Sequence, residues 1–200
     1  RVSPDDVKAL YAYFMHGVAP VEQPNKANGI HWPLSMRWPL GVWRKMFSSA
    51  PVDAPAPPPA DSGSAQMLRG KYLVEGLGHC SACHTPRGFA LQEKATSDAG
   101  GAAFLSGGVV DGWLAGNLRG DTADGLGSWS RQDLVAFLKT GRNAHSAAFG
   151  GMADVVADST QYMTDADLNA IAAYLKSLPP KDASAAQPMA YNDTVGKELL

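Results

Sequence analysis

The sequence predicts an all-α fold, and three observations carry that prediction. Apolar residues recur at helical spacing behind capping residues in several segments. No strand-rich run flanks these segments, and the loops between them are rich in glycine, 21 in the chain. Those loops surround one pentapeptide, Cys80-Ser81-Ala82-Cys83-His84, which holds both cysteines of the protein.

At 200 residues and 45% hydrophobic, the chain is long enough for one good core plus extras. A net charge of −2 gives no electrostatic case for nucleic acid. No run approaches the ~18 apolar residues that a spanning helix needs. No signal peptide opens the chain at Arg1, although the mature form of an exported protein would lack one too.

The first element follows Ser3-Pro4-Asp5-Asp6. Ser3 serves as N-cap, Pro4 stands where a missing N–H costs nothing, and Asp6 faces the positive end of the helix dipole. Val7, Leu10, Tyr11 and Phe14 then form one apolar face, and Gly17 ends the helix. The same pattern returns without a gap from Thr164 to Leu175, at an offset of 161 residues. A shorter echo sets Gly196-Lys197-Glu198-Leu199 over Gly70-Lys71-Tyr72-Leu73. The two echoes predict that 1–17 is the last helix of a preceding unit, 65–180 a whole unit, and 181–200 a linker and the start of a third.

Residues 18–64 read as a linker of two textures. Trp32, Trp38 and Trp43 stand among Pro33 and Pro39, with Arg37, Arg44 and Lys45 interleaved. They are expected to pack on neighbouring domains or a partner protein, or else to cover their own domain. Five prolines between Pro51 and Pro59 form a stiff extended spacer, and Asp61 to Ala65 a polar hinge.

In the whole unit, an amphipathic helix from Gly70 to Leu77 delivers Cys80. Residues 85–128 are loop-rich. Ser130-Arg131-Gln132-Asp133 caps a middle helix that buries Leu134, Phe137 and Leu138 and ends at Gly141. The Thr164 helix closes the unit before Pro179-Pro180.

Two thiols three residues apart beside a histidine can form two thioether bonds to a porphyrin while the imidazole reaches its iron, so the pentapeptide reads as a c-type haem attachment site. A thioredoxin-like redox pair would want a βαβ context. Zinc would need two further close ligands, whereas His16, His31 and His145 are scattered and only His79 is adjacent. A local disulfide would staple only a tiny loop. With haem in place, the glycine-rich loops are expected to wrap its edge. The order of attachment helix, glycine-rich loops, middle helix, sulfur-bearing loop and final helix is that of a class I cytochrome c domain.

An electron-carrying iron wants both axial positions filled, and a thioether raises its potential. His84 is the proximal ligand. Candidates for the distal one are Met152, His145 and Met163. The expectation falls on Met152, which follows the flexible Phe149-Gly150-Gly151 turn, whereas Met163 abuts a helix start and suits core packing, as Met67 does. Trp129 and Arg142 flank the middle helix and are candidate donors to the haem propionates, with Arg119 and Asn117 behind them.

Gly78-His79-Cys80-Ser81-Ala82-Cys83-His84-Thr85-Pro86-Arg87-Gly88, Gly125-Leu126-Gly127-Ser128-Trp129-Ser130, Lys139-Thr140-Gly141-Arg142 and Ala147-Ala148-Phe149-Gly150-Gly151-Met152 together resemble the central domain of the three-haem cytochrome c subunit of bacterial membrane-bound dehydrogenases, which oxidise alcohols, sugars, gluconate or sorbitol. Leu10 to Met15 and Trp32 to Phe47 resemble that family's link between its first two haem domains. The resemblance implies electron transfer, not bond-making on a substrate. Electrons from a flavin- or quinone-dependent dehydrogenase subunit would pass through one haem c here, held by Cys80, Cys83, His84 and Met152, and along neighbouring haem domains to ubiquinone or a terminal oxidase. It implies a periplasmic, membrane-associated setting, with the membrane met by regions outside this chain. Family members carry three Cys-x-x-Cys-His motifs and this chain one, so the chain reads as a fragment. The rival is a haem c domain with an open sixth position, acting as a peroxidase-like or sensor domain.

Overall fold

A computed structural model of the chain describes residues 2–27, 29–33, 35–48 and 63–181. The proline spacer and the echo at Gly196 lie outside them. The chain divides into two compact units, Arg1–Ala56 and Pro57–Leu200.

In the first unit, α1 spans Pro4–Ala12 and continues through a π turn at Tyr13–Gly17. Ser3 caps it, accepting from the Asp6 N–H at 3.1 Å and donating its hydroxyl to the Asp6 carboxylate at 2.9 Å. A second helix, α2 (Trp38–Phe47), lies in what the sequence reading left as linker. Its prolines hid it: Pro39 stands in the first turn, where no intrahelical N–H is needed, so it opens the helix and does not break it.

The second unit is a helical cage. Its first helix, α3 (Gly63–Tyr72), begins seven residues before the expected Gly70, because Ala65, the last residue of the supposed hinge, and Met67 beyond it turn inward. It crosses the last helix, α7 (Asp165–Ser177), at very short range. A Cβ on Gly70 would lie 2.0 Å from the Ala170 carbonyl oxygen, so only glycine fits the crossing. Arg69 clamps the same junction, its Nε and Nη2 donating to the Asp167 carboxylate at 2.7 and 3.1 Å. Thr164 caps α7 through the Asp167 N–H at 3.2 Å, as Ser3 caps α1.

Beyond α3 the chain makes a π turn over Leu73–Leu77, closed by the Gly78 N–H on the Leu73 carbonyl at 2.7 Å. The wide turn buries Leu73 and Val74 and leads into the short helix α4 (Ser81–His84). The 85–128 stretch is less irregular than expected. It holds an antiparallel hairpin, β1 (Gly108–Val110) and β2 (Trp113–Ala115). Asp111 at φ 52° and Gly112 at φ 80° make its tight turn, both in the left-handed region.

The middle helix, α5 (Arg131–Thr140), carries a capping box between Ser130 and Asp133 and ends on Gly141 at φ 76°. The sulfur-bearing loop turns out to be helix α6 (Gly151–Asp158), opened by Gly150 at φ 55°. Val74, Phe104, Leu105 and Leu168 are the largest fully buried apolar side chains, and the first three pack in one core cluster with Leu134, Tyr174 and Leu175. The unit is mostly helical, as expected from the sequence, with the hairpin as its one sheet among the described residues.

Candidate haem-binding site

Cys80 and Cys83 are free thiols, Cys80 half-buried and Cys83 exposed. Burial pushes the Cys80 thiol up to about 11, so it sits neutral and not as a reactive thiolate. Several bonds lock the backbone around them. Arg87 donates from Nη2 to the Ala82 carbonyl at 2.6 Å and from Nη1 to the Leu91 carbonyl at 2.9 Å. Thr85, fully buried, accepts the Leu105 N–H on Oγ1 at 3.0 Å, and the Gly107 N–H reaches the His84 carbonyl at 2.8 Å.

The His84 ring has a fixed tautomer. Its Nδ1 lies 2.7 Å from the Gly116 carbonyl oxygen, which can only accept, so Nδ1 carries the proton and the Nε2 lone pair is left to bind a metal. Burial holds the imidazole pKa below its usual value, and the Gly116 carbonyl opposes that shift. Metal-binding histidines are commonly held in this way, neutral and oriented by a hydrogen bond from the nitrogen that does not meet the metal. Gly116 directly follows β2, so the hairpin sets the ring.

The same hairpin reaches the methionine turn. On the attachment side, a Cβ on Gly108 would lie 2.5 Å from the Cys83 carbonyl oxygen, so β1 lies against α4 where a larger residue could not. On the other side, the Trp113 ring stands 5.5 Å from that of Phe149 and within 3.1 Å of where a Gly150 Cβ would be. Met152 lies two residues further on, in the first turn of α6. It is half-buried and is not among the side chains packed on the core cluster. Sequence reasoning missed both Trp113 and Gly116. The Asp111-Gly112 pair between apolar residues is a hairpin signal that could have found them.

His145 and Met163, the other candidates for the distal position, have partners of their own. His145 stacks on Trp129 with ring centroids 5.1 Å apart, and its Nε2 is 3.3 Å from Asp133 Oδ2. Met163 packs against the core, as does Met67. Trp129 also meets Phe137 edge-on at 5.5 Å. Arg142 is exposed and bridges to Ala147. Asn117 is buried in a polar knot, donating to Asp121 Oδ2 at 2.8 Å and Asp124 Oδ1 at 3.2 Å while accepting the Arg119 N–H at 2.9 Å.

Arg119 is different. It is 4% exposed, and its Nη1 donates to the Phe104 carbonyl at 2.9 Å, yet its buried Nε has no partner. A buried donor with nothing to donate to is costly and marks a place for an acceptor. A haem c asks for two thiols, an oriented imidazole, apolar side chains at the ring face and donors for its propionates. The donor set here, with the orphaned Nε of Arg119, fits that request. No cluster of three His, Cys, Asp or Glu side chains suited to an ordinary metal ion occurs among the described residues.

Residues 67–179 match the Cytochrome c family model. The chain belongs to the cytochrome c family. Membership implies a covalently bound haem c. The chain is similar to a protein of Gluconacetobacter polyoxogenes named alcohol dehydrogenase (quinone), cytochrome c subunit, at 62% identity over 181 residues, 90% of the chain and 38% of the relative. It is also similar to the gluconate 2-dehydrogenase cytochrome c subunit of Pantoea cypripedii, at 58% over 200 residues, 99% of the chain and 44% of the relative. The fructose dehydrogenase cytochrome subunit of Gluconobacter japonicus is 39% identical over 197 residues, 98% of the chain and 38% of that subunit. This cytochrome therefore spans about two fifths of the length of these curated relatives.

Proposed function

We propose that this cytochrome is an electron-transfer module of a dehydrogenase complex. It takes electrons from a flavin- or quinone-dependent catalytic subunit and hands them along neighbouring haem domains towards membrane ubiquinone, on the periplasmic side. The relatives' names support the partner. The observation that carries the chemistry is the hairpin, which orients His84 at its Gly116 end and touches the methionine turn through Trp113.

Cys80 and Cys83 would anchor the porphyrin by thioethers, His84 Nε2 would take one axial position and Met152 sulfur the other. Bound there, haem supplies one-electron redox cycling. The chain supplies the constancy that fast transfer requires. The proton stays on His84 Nδ1, donated to the Gly116 carbonyl, the imidazole stays neutral, and the exposed Trp113–Phe149 pair would be available to cover a haem face. Arg119 Nε would donate to a propionate, offsetting its charge in a buried setting.

A multi-domain arrangement is supported by α1. Val7, Leu10, Tyr11 and Phe14 match Leu168, Ile171, Ala172 and Leu175 of α7, yet Val7 is 53% and Phe14 65% exposed where Leu168 and Leu175 are 0% and 4%. The face that α7 buries under its own haem unit is uncovered in α1, as it would be on the final helix of another such unit.

The test is spectroscopic and kinetic. Protein matured in a host able to attach haem c should give a pyridine haemochrome of covalent type. Its oxidised form should be low-spin and slow to bind cyanide, its reduced form slow to bind carbon monoxide, and it should be reduced by a quinone-dependent alcohol dehydrogenase. A colourless product would sink the proposal. Rapid high-spin ligand binding would favour a peroxidase-like or sensor role.

A further inference from the structure

Three residues of α7 make its junction with α3 and the turn beyond. Asp167 accepts the Arg69 guanidinium at 2.7 and 3.1 Å. The Ala170 carbonyl and the Tyr174 Cβ lie 2.0 and 2.8 Å from where a Gly70 Cβ would be, and the Tyr174 hydroxyl donates to Glu75 at 2.6 Å. At the offset of 161 residues these positions are Asp6, Ala9 and Tyr13 of α1, and all three are unchanged. Their neighbours differ: Leu168, Asn169, Ile171 and Ala172 are replaced by Val7, Lys8, Leu10 and Tyr11. Amphipathicity alone keeps a face apolar, but it does not keep an aspartate, an alanine and a tyrosine at three points of contact. Ala170 and Tyr174 are 0% and 3% exposed, whereas Ala9 is exposed and Tyr13 is 61% exposed. Helix α2 does not supply the close crossing, since a Cβ on its Gly41 would meet nothing within 4 Å.

We infer that α1 is the docking face for one kind of partner, a helix of the α3 type from another haem unit. That helix carries an Arg-Gly pair and, five residues after the glycine, a carboxylate, all ahead of its own Cys-x-x-Cys-His, as Arg69, Gly70 and Glu75 precede Cys80 here. Its glycine would cross at Ala9, its arginine meet Asp6 and its carboxylate accept from the Tyr13 hydroxyl. The contacts that the same three residues make in α7 choose this occupant. Charge agrees with them, because Asp6 calls for a cation. So does size, because a crossing this close needs a partner backbone without a Cβ. The inference rests on the reading of α1 as the closing helix of a separate haem unit, and adds which residues of the partner it recognises.

The test is photo-cross-linking in the assembled dehydrogenase complex, with p-benzoylphenylalanine in place of Tyr13 and the captured peptide sequenced by mass spectrometry. The expected capture is a peptide that contains Arg-Gly and lies just ahead of a Cys-x-x-Cys-His motif other than Cys80–His84. Ala9→Leu puts a branched side chain into the crossing and should lower the yield about tenfold or more. Asp6→Asn should lower it about threefold. Lys8→Leu, which matches the exposed Asn169, should leave it unchanged. Capture of α2, of the catalytic subunit or of residues 63–77 from a second copy overturns the inference, and so does equal capture by the Ala9→Leu and parent proteins. No capture, with the haem at Cys80 and Cys83 intact and reducible, overturns the pairing and leaves the electron-transfer reading standing. The expected capture in a complex whose Cys80–His84 unit is colourless would support the pairing and sink that reading.

Discussion

At the scale of single residues, the site depends on atoms whose partners are fixed before any haem chemistry begins. Met152 is not among the side chains packed on the core cluster, whereas Met67 and Met163 are, which supports the proposal that its sulfur is the distal ligand. Replacing Met152 with Ala should lower the reduction potential and remove the sulfur-to-iron charge-transfer band of the oxidised protein. A redox titration read by absorbance checks both, and an unaltered spectrum would refute the ligand. Arg119 has a structural load besides its free Nε, since Nη1 satisfies the buried Phe104 carbonyl. Arg119→Met leaves that oxygen unpaired and should cost about 1–3 kcal/mol, measured by guanidinium unfolding followed at the haem band.

At the scale of elements, the crossing of α3 over α7 decides whether the cage closes. Gly70→Ala drives a methyl into the Ala170 carbonyl, backbone that cannot step aside, and should cost at least about 3 kcal/mol in thermal or denaturant unfolding. The Arg69–Asp167 clamp beside it gives the junction a pH dependence. The hydrogen-bonded guanidinium holds the Asp167 carboxyl below the usual carboxylate range, against the opposing push of burial. A depressed native value means that the stabilisation is complete above the unfolded carboxyl's value of about 4 and is lost as pH falls through the lower native one. Asp167→Asn should therefore be less stable than the parent by about 1–2 kcal/mol at neutral pH, and the difference should shrink below about pH 4. Unfolding curves at pH 7 and pH 3 measure it; a constant difference would dissociate the clamp from the titration.

At the scale of the whole molecule, the two copies of one helix pattern have different fates. Leu168→Ala in α7 opens a cavity in the haem unit and should cost about 3 kcal/mol. Val7→Ala, the matching change in α1, should shift the haem-monitored transition by no more than about 0.5 kcal/mol, because the side chain is already half in solvent. Comparable losses in the two variants would argue against α1 being the closing helix of a separate unit.

What the sequence determined by itself is local and covalent. The spacing of Cys80, Cys83 and His84 points to the proposed attachment site, Ser3, Ser130 and Thr164 name helix starts, and Gly141 names a helix end, because caps and thioether spacing are set within a few residues of chain. In sequence α2 is masked by its prolines, the start of α3 lies in a polar stretch and the 108–115 hairpin has the glycine content of a loop. At α3 inward packing and at the hairpin a tight turn outweighed composition, while at α2 Pro39 stands in the first turn and opens the helix. Only the tertiary structure decided which carbonyl orients His84, that the 108–115 hairpin links the attachment helix at Gly108 to the methionine turn at Trp113, and that the buried Arg119 Nε has no partner. Those relations join residues about 30 or more positions apart in the case of Gly116 and Trp113. Periodicity assigns a residue to a face, but packing chooses what that face meets.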